Sequence, residues 1–400
     1  NDYQAMDDYL DCDLIIIDEF SMVDTWLANQ LFSSISSNTQ VIIVGDSDQL
    51  PSVGPGQVLA DLLKIKTLPQ IALTKIFRQS EDSTIVTLAN QMRQGILPAD
   101  FTQKKADRSY FEAGAQYIPE MIPKIVSAAI KSGISPQEIQ ILAPMYRGAA
   151  GINRLNTIIQ DLLNPLGDQL SFAFGDMNFR KGDKVLHLIN DAELNVFNGD
   201  IGYITDLIPA KYTESKQDEL YMSFDGTEVI YPRNEWHKIT LAYAMSIHKS
   251  QGSEFQVVIL PITSQSRRLL QRNLIYTAIT RSKSKLVMLG EIAAFDYAIK
   301  NEGSKRKTYL VQRFTTNPED LDNSETIENP DEAKESQNKP DKAISSAHVE
   351  EEKSEKVIQL SLDFNEDKPD NVKEYRLTEE NLPFIDPMIG ITQEDIEQFF

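Results

Sequence analysis

Cysteine is nearly absent: Cys12 stands alone among 400 residues. That excludes a disulfide framework and suits a reducing cytosol. Long apolar runs are lacking as well. Leu14–Ile17 and Val257–Leu260 are strand-length, far short of the roughly 20 residues a membrane helix needs. No charged-then-apolar leader opens the chain, so nothing in it directs export, and a cytoplasmic protein away from membranes is expected. Residue 1 is Asn rather than Met and the opening stretch is polar, as in a fragment or a processed chain. Positive charge is scarce too. A net charge of −21 argues on its face against a nucleic-acid partner, but the acidity is local. From Thr315 to Phe400 there are 24 acidic and 8 basic residues, so this tail carries −16 and the other 314 residues carry −5. That ordinary balance leaves room for a basic track.

What is present is apolar patterning. At 41% apolar residues, 400 residues can fill two or three cores. From Cys12 to Phe314 strand-like runs alternate with amphipathic helical stretches, which reads as α/β with mainly parallel sheets. Leu14–Ile17 has the continuous aliphatic character of a buried central strand, and it ends on Asp18-Glu19. Val41–Val44 repeats the pattern and ends on Gly45-Asp46, with a short helix expected over Thr25–Ser33 between them. Further strands are expected at Ile139–Ala143, Lys184–Leu188, Val257–Leu260 and Lys285–Leu289. Over Asn195–Trp236 the character changes. Gly199, Gly202 and Asp225-Gly226 punctuate alternating runs at Ile201–Leu207, Leu220–Phe224 and Thr227–Tyr231. A small inserted β-barrel is the expected form, with a pair of surface hairpins as the alternative. After Phe314 the chain turns to Asp, Glu, Asn, Ser and Lys, a disordered or linker-like composition broken by apolar islands at Val357–Phe364 and Leu382–Phe400.

Two strand ends carry the chemistry. Hydrolysis of a phosphoanhydride needs one carboxylate to hold the Mg²⁺ shell and another to orient the attacking water. Asp18 and Glu19, leaving a strand where phosphates sit in an α/β sheet, suit those tasks; an exposed acidic turn is the plain alternative. Ser21-Met22-Val23-Asp24 follows at once, and 27 residues beyond Asp18 comes Gly45-Asp46-Ser47-Asp48-Gln49-Leu50-Pro51-Ser52-Val53-Gly54-Pro55-Gly56. Taken singly this is a Pro/Gly-rich surface loop. Beside the first strand, Gln49 is placed to sense a γ-phosphate and report it to a nucleic-acid groove.

Together the two segments resemble motifs II and III of the RecD/TraA branch of superfamily-one DNA helicases, above all the bacterial stand-alone RecD-like enzymes. The resemblance continues in order. Leu73–Gln79 (LTKIFRQ) resembles motif IV, Thr240–Phe255 (TLAYAMSIHKSQGSEF) motif V and Tyr276–Lys283 (YTAITRSK) motif VI. It implies that Arg78 contacts the γ-phosphate and that Arg281 acts as an arginine finger. In motif V, Ser246, His248, Lys249 and Ser250 offer donors suited to a single strand's phosphates. Gly252 allows close backbone approach, and Glu254 suits a ribose hydroxyl. Ile141–Leu155 (ILAPMYRGAAGINRL) resembles the segment between motifs IV and V, where Tyr146 and Arg147 either reach DNA or form a core tyrosine beside a solvated arginine. Phe197-Asn198-Gly199-Asp200 resembles the start of the small Src-homology-three barrel that such enzymes insert in their second RecA-like domain, and Ile385–Gly390 is similar to a C-terminal stretch of the stand-alone enzymes. One departure is Phe20, where the family carries a small residue, which raises the question of packing behind the first strand.

The resemblance implies two RecA-like domains, the first incomplete. Motifs II and III would occupy 1–72, the second domain 73–194 and 237–314, the barrel 195–236, and a disordered acidic tail 315–400. It implies an ATP- and Mg²⁺-dependent helicase, with Asp18 on the metal, moving 5′→3′ on single-stranded DNA to duplex junctions in repair, recombination or replication, as a monomeric motor. Yet no G-x-x-x-x-G-K-[ST] occurs anywhere in the 400 residues, so the loop that cradles phosphates is missing and the chain alone is expected to be inactive. Within the class, a RecD subunit of a recombination complex or the helicase part of a relaxase is the rival. Outside it, a complete chain would be a non-catalytic DNA-binding or clamp-tethered scaffold. Gln359, Leu362 and Phe364 fit the Q-x-x-L-x-F pattern of peptides that dock in the bacterial sliding clamp, a short pattern that chance also produces.

Overall fold

The structure is a computed structural model and describes residues 10–73, 83–304 and 306–315. Arg78, Gln359, Leu362, Phe364 and the whole of the acidic tail lie outside those residues.

The chain opens with β1 (Leu14–Ile17), α1 (Thr25–Ser33), β2 (Gln40–Ile43) and the short α2 (Val58–Leu62). β1 and β2 pair in parallel, Ile17 opposite Ile43, and α1 makes the crossover that a parallel pair requires. Asp24 starts α1 by accepting the Leu27 N–H at 2.8 Å, the usual task of an N-cap aspartate. The expected burial of β1 is not found: Leu14 is 46% and Ile16 62% exposed, and Val41 and Ile42 on β2 are exposed as well. Parallel strands are ordinarily covered on both faces and flanked on both edges; among the described residues β1 has one neighbour, and only its Ile15 and Ile17 face is partly buried, with Ile17 against the core of Phe20. Phe20, by contrast, packs without difficulty. It is fully buried with Ala28, Val58 and Leu59, its ring 6.3 Å from that of Phe32.

Next come α3 (Thr84–Arg93), β3 (Arg108–Glu112), α4 (Ile118–Lys131), β4 (Ile139–Ala143), α5 (Ile152–Leu163) and a hairpin of β5 (Ser171–Phe174) and β6 (Met177–Arg180). A second hairpin-rich stretch holds β7 (Lys184–His187), β8 (Ile201–Ile208), β9 (Glu219–Phe224), β10 (Thr227–Pro232) and β11 (Ile239–Leu241). The chain then returns through β12 (Ala244–Ser246), β13 (Phe255–Ile262), α6 (Arg272–Thr280), β14 (Ser282–Gly290), α7 (Ile292–Lys300) and α8 (Leu310–Thr315). Five strands form a wholly parallel sheet in the order β12-β4-β13-β14-β3. β4 and β13 lie in its interior and are almost entirely buried, as their mainly aliphatic residues demand.

The other five make an antiparallel sheet, β10-β9-β8-β7-β11. Asp225 (φ 45°) and Gly226 (φ 85°) supply the two positive-φ residues of a tight hairpin turn between β9 and β10. This sheet runs from Lys184 to Leu241, wider than the hairpin signature in the sequence. β7 escapes that signature because all four of its residues are buried, so it reads like a strand of the parallel sheet. Trp236 closes the core between this sheet and the β5–β6 hairpin, stacked on Phe172 at 5.6 Å with its indole N–H donating to the Tyr231 carbonyl at 2.9 Å.

Lys184 seals the joint between the two sheets. Its ammonium donates to Gln140 Oε1 at 2.9 Å and to the carbonyls of Gln137 (3.2 Å) and Ile139 (3.3 Å), over the Phe255 ring. Burial pushes its pKa down to about 8. A base depressed in the folded state binds fewer protons there than in the unfolded chain once pH exceeds 8, so stability rises with pH across that window. Relative to Lys184→Met, the wild type should gain up to about 3 kcal/mol between pH 8 and 10.5. Denaturant titrations at several pH values measure this; a pH-independent difference would refute it.

Candidate functional site

The site is built where the loop after β2 meets α6. β1 and β2 end side by side, with the Val44 N–H on the Ile17 carbonyl (2.8 Å) and the Phe20 N–H on the Val44 carbonyl (3.0 Å). This delivers Asp18-Glu19 and Asp46–Leu50 to one sheet edge. Glu19 adopts a left-handed conformation (φ 52°, ψ 36°), uncommon for a residue with a side chain, and its N–H donates to Asp18 Oδ1 at 2.7 Å. Backbone strain of this kind collects at functional turns.

From there the loop crosses to the five-stranded parallel sheet. Leu50 is buried in the core under the parallel sheet, beside Ile85, Met245 and Tyr276. Its N–H donates to Thr277 Oγ1 at 2.8 Å, and its carbonyl accepts from Gln251 Nε2 at 2.9 Å. The Tyr276 hydroxyl donates to Asp46 Oδ2 at 2.9 Å. Burial, with the Asp46 carboxylate adding to it, holds the Tyr276 phenol well above its ordinary pKa, so it remains a donor. Arg281 ends α6, 3% exposed, and its Nη2 donates to Gln49 Oε1 at 3.2 Å. Other guanidinium donors reach the Thr277 carbonyl (3.3 Å), the Ser253 carbonyl (3.2 Å) and Thr280 Oγ1 (3.3 Å), so the side chain is held on several sides. Gln49 Nε2 in turn donates to Asp46 Oδ2 at 3.3 Å.

Gln49 and Arg281 are therefore brought into contact across 232 residues of sequence. Asp18 and Glu19 stand at the same sheet edge as Gln49, with the Asp18 carboxylate on the Glu19 backbone N–H. No group of three or more His, Cys, Asp or Glu able to hold a metal is found among the described residues. One or two carboxylates completed by phosphate oxygens and water is the usual protein share of a Mg²⁺ site, and Asp18-Glu19 fits that pattern. Tyr276, Thr277 and Asp46 carry no distinct signal in the sequence, although all three lie inside its motif segments.

Of the motif V donors, two face inward. Ser250 is fully buried and donates to the Ile247 carbonyl at 2.8 Å; Ser246 is 5% exposed and accepts the Lys249 N–H at 3.3 Å. His248 is exposed and Lys249 half-buried, its ammonium on Asn198 Oδ1 at 2.8 Å. Tyr146 and Arg147 are exposed in the turn after β4. Because β12 and β4 pair in parallel with Ser246 opposite Ala143, the two loops leave neighbouring strands at the same sheet edge. Gly252 has φ 76°, a conformation that favours glycine, with nothing within 4 Å of an added Cβ. Glu254 pairs with Lys283 at 3.6 Å.

Three family models match in order along the chain: an AAA domain over residues 4–116, the ATP-dependent RecD-like DNA helicase SH3 domain over 155–224, and the UvrD-like helicase C-terminal domain over 241–289. The chain belongs to the RecD-like helicases. It is 31% identical to the ATP-dependent RecD2 DNA helicase of Deinococcus radiodurans over 302 residues, 76% of this chain and 40% of that protein. It is 29% identical to the RecBCD enzyme subunit RecD of Mycolicibacterium smegmatis over 315 residues, 76% of this chain and 54% of that one. The RecD-like chain thus spans about half the length of the curated relatives it matches. Among solved structures it is similar to a Bacteroides Pif1 helicase, at 20% identity and a TM-score of 0.41, covering 79% of this chain and 76% of that one. The antiparallel sheet β10-β9-β8-β7-β11 overlaps the SH3 match, and the parallel sheets form the α/β parts around it.

Among the described residues no helix is long and apolar enough to cross a membrane.

Proposed function

We propose that this RecD-like chain carries most of an ATP-driven motor that moves 5′→3′ along single-stranded DNA and opens duplexes. The observation that carries the reading is the bond from Arg281 to Gln49 across the cleft between the two RecA-like parts. Asp18 would hold the Mg²⁺ shell, and Mg²⁺ when bound supplies charge neutralisation at the phosphates. Glu19 would orient and deprotonate the attacking water, and Arg281 would meet the charge that develops on the transferring phosphoryl group. Gln49, bonded to Arg281 and sharing Asp46 with Tyr276, would tie nucleotide occupancy to closure of the two parts. Arg78 is assigned the second γ-phosphate contact on its motif alone. Glu254 and Gly252 are assigned to the nucleotide side of motif V, while Tyr146, Arg147, His248 and Lys249 line the sheet edge proposed to hold the strand, with phosphate contacts from the cations and base stacking on the tyrosine.

Such a motor needs a phosphate loop that these 400 residues do not contain. The 400-residue chain should therefore show no ATP turnover. The same chain joined to its phosphate-loop segment should turn over ATP and accelerate when single-stranded DNA is added. A loop-bearing protein whose turnover is indifferent to DNA would overturn the motor reading in favour of a DNA-bound scaffold.

A further inference from the structure

Beyond α7 the chain leaves the parallel sheet and returns to the first RecA-like part. Asn301 is still anchored at the sheet: its carbonyl accepts the Arg272 N–H at 2.8 Å, and its amide donates to the Leu270 carbonyl at 2.7 Å. Five residues later, Arg306 lies on the loop that follows β2. Its Nη1 donates to the carbonyls of Gly54 and Gly56, both at 2.6 Å, and its Nη2 to the carbonyl of Ser52 at 2.7 Å. Leu310 then packs against the core of Phe20, Ala28, Val58 and Leu59.

The gripped loop has a hydrogen bond of its own, Ser52 Oγ to the Gly54 carbonyl at 3.3 Å. It is pressed onto the start of α1, where a Cβ on Gly54 would sit 1.9 Å from Asp24 Oδ2 and one on Gly56 2.0 Å from Thr25 Oγ1. The Pro55 carbonyl accepts both the Thr25 N–H (2.9 Å) and the Thr25 hydroxyl (3.0 Å). The carbonyls of Ser52, Gly54 and Gly56 converge on Arg306. A guanidinium meets several acceptors at once because its five donors lie in one rigid plane; an ammonium is a compact point charge on a flexible stem.

We infer that Arg306 is a positioning residue for Gln49, an inference that rests on the motor reading for its consequence though not for its geometry. Leu50 and Gln49 are handed across to Thr277, Gln251 and Arg281, while Arg306 holds the other end of the same loop against α1. With both ends held, a shift of α6 is passed to Gln49 instead of being absorbed by slack in residues 51–56. Arg306 touches none of the reacting groups; it acts through the loop.

Two readouts test this. By hydrogen exchange on the 400-residue chain, Arg306→Ala should speed exchange of the Thr25, Gln49 and Leu50 amides by about tenfold or more, with β4 and β13 unchanged. In the loop-bearing protein, Arg306→Ala should lower kcat for DNA-stimulated ATP turnover by about tenfold and leave KM for ATP within about twofold. Arg306→Lys should recover part of both effects, and it carries the test if the alanine variant does not fold. Exchange at those amides unchanged in a folded variant overturns the inference, as does unchanged kcat. Absence of DNA stimulation in the wild-type loop-bearing protein would defeat the motor reading instead, and the exchange result would still judge the hold of Arg306.

Discussion

Arg281→Ala in the loop-bearing protein should lower ATP turnover by about 10³- to 10⁵-fold, a loss of roughly 4–7 kcal/mol of transition-state stabilisation. The magnitude follows from how the side chain is held. Arg281 is 3% exposed, and its guanidinium is held by the Thr277 and Ser253 carbonyls, so little reorganisation is needed at the moment of reaction. Arg281→Lys should recover little, because one ammonium cannot keep those carbonyls and Gln49 while also reaching a phosphate. Affinity for ATP should change far less than kcat. Single-turnover hydrolysis and nucleotide titration separate the two. Turnover within about tenfold of wild type would remove Arg281 from the mechanism.

Asp183→Ala should be the most damaging substitution for folding away from the site. The buried carboxylate accepts from Gln160 Nε2 (2.6 Å), the Arg180 N–H (2.7 Å), Asn164 Nδ2 (2.7 Å) and the Tyr243 hydroxyl (3.0 Å). Burial pushes its pKa up and these donors oppose the rise. Four donors on two oxygens tie α5, the β6–β7 turn and the approach to β12 into one knot. Without the acceptor, the buried donors lose their partner together at a cost of at least about 3 kcal/mol, or a melting temperature lower by about 6–12 °C. Asp161→Ala is the control: that residue pairs with Arg180 at 2.9 Å but is 59% exposed, and its loss should cost less than about 1 kcal/mol. Equal melting temperatures for the two variants would show that the knot contributes no more than a surface pair.

Features set by local rules were legible in the sequence. α1 occupies Thr25–Ser33 as its spacing implies, β4 occupies Ile139–Ala143, and Asp225-Gly226 turns the hairpin. What depends on distant neighbours was not. An aliphatic run such as Leu14–Ile17 announces a strand meant for burial but not whether anything covers it. Ser246 and Ser250 are donors by residue type, and the fold decides that both turn inward. Lys184–His187 looks like one more strand of the parallel sheet because both kinds of sheet bury it. Arg281, which reaches Gln49, and the carbonyls that Arg306 grips lie more than 200 residues from their partners, and no local pattern encodes such a meeting.

The return of the chain through Asn301–Arg306 also limits how the motor can move. Two bodies joined by a single covalent thread can twist, slide and tumble against each other. Here the chain also comes back: Arg306 and Leu310 rest on the part that carries β1 and β2. A second tether of this kind shortens the distance over which the two parts can separate, on top of the bonds that Gln49 and Leu50 make to α6 and its neighbours. Bodies tied at two places come back into register faster than bodies that share one linker, because less of the search is left to chance.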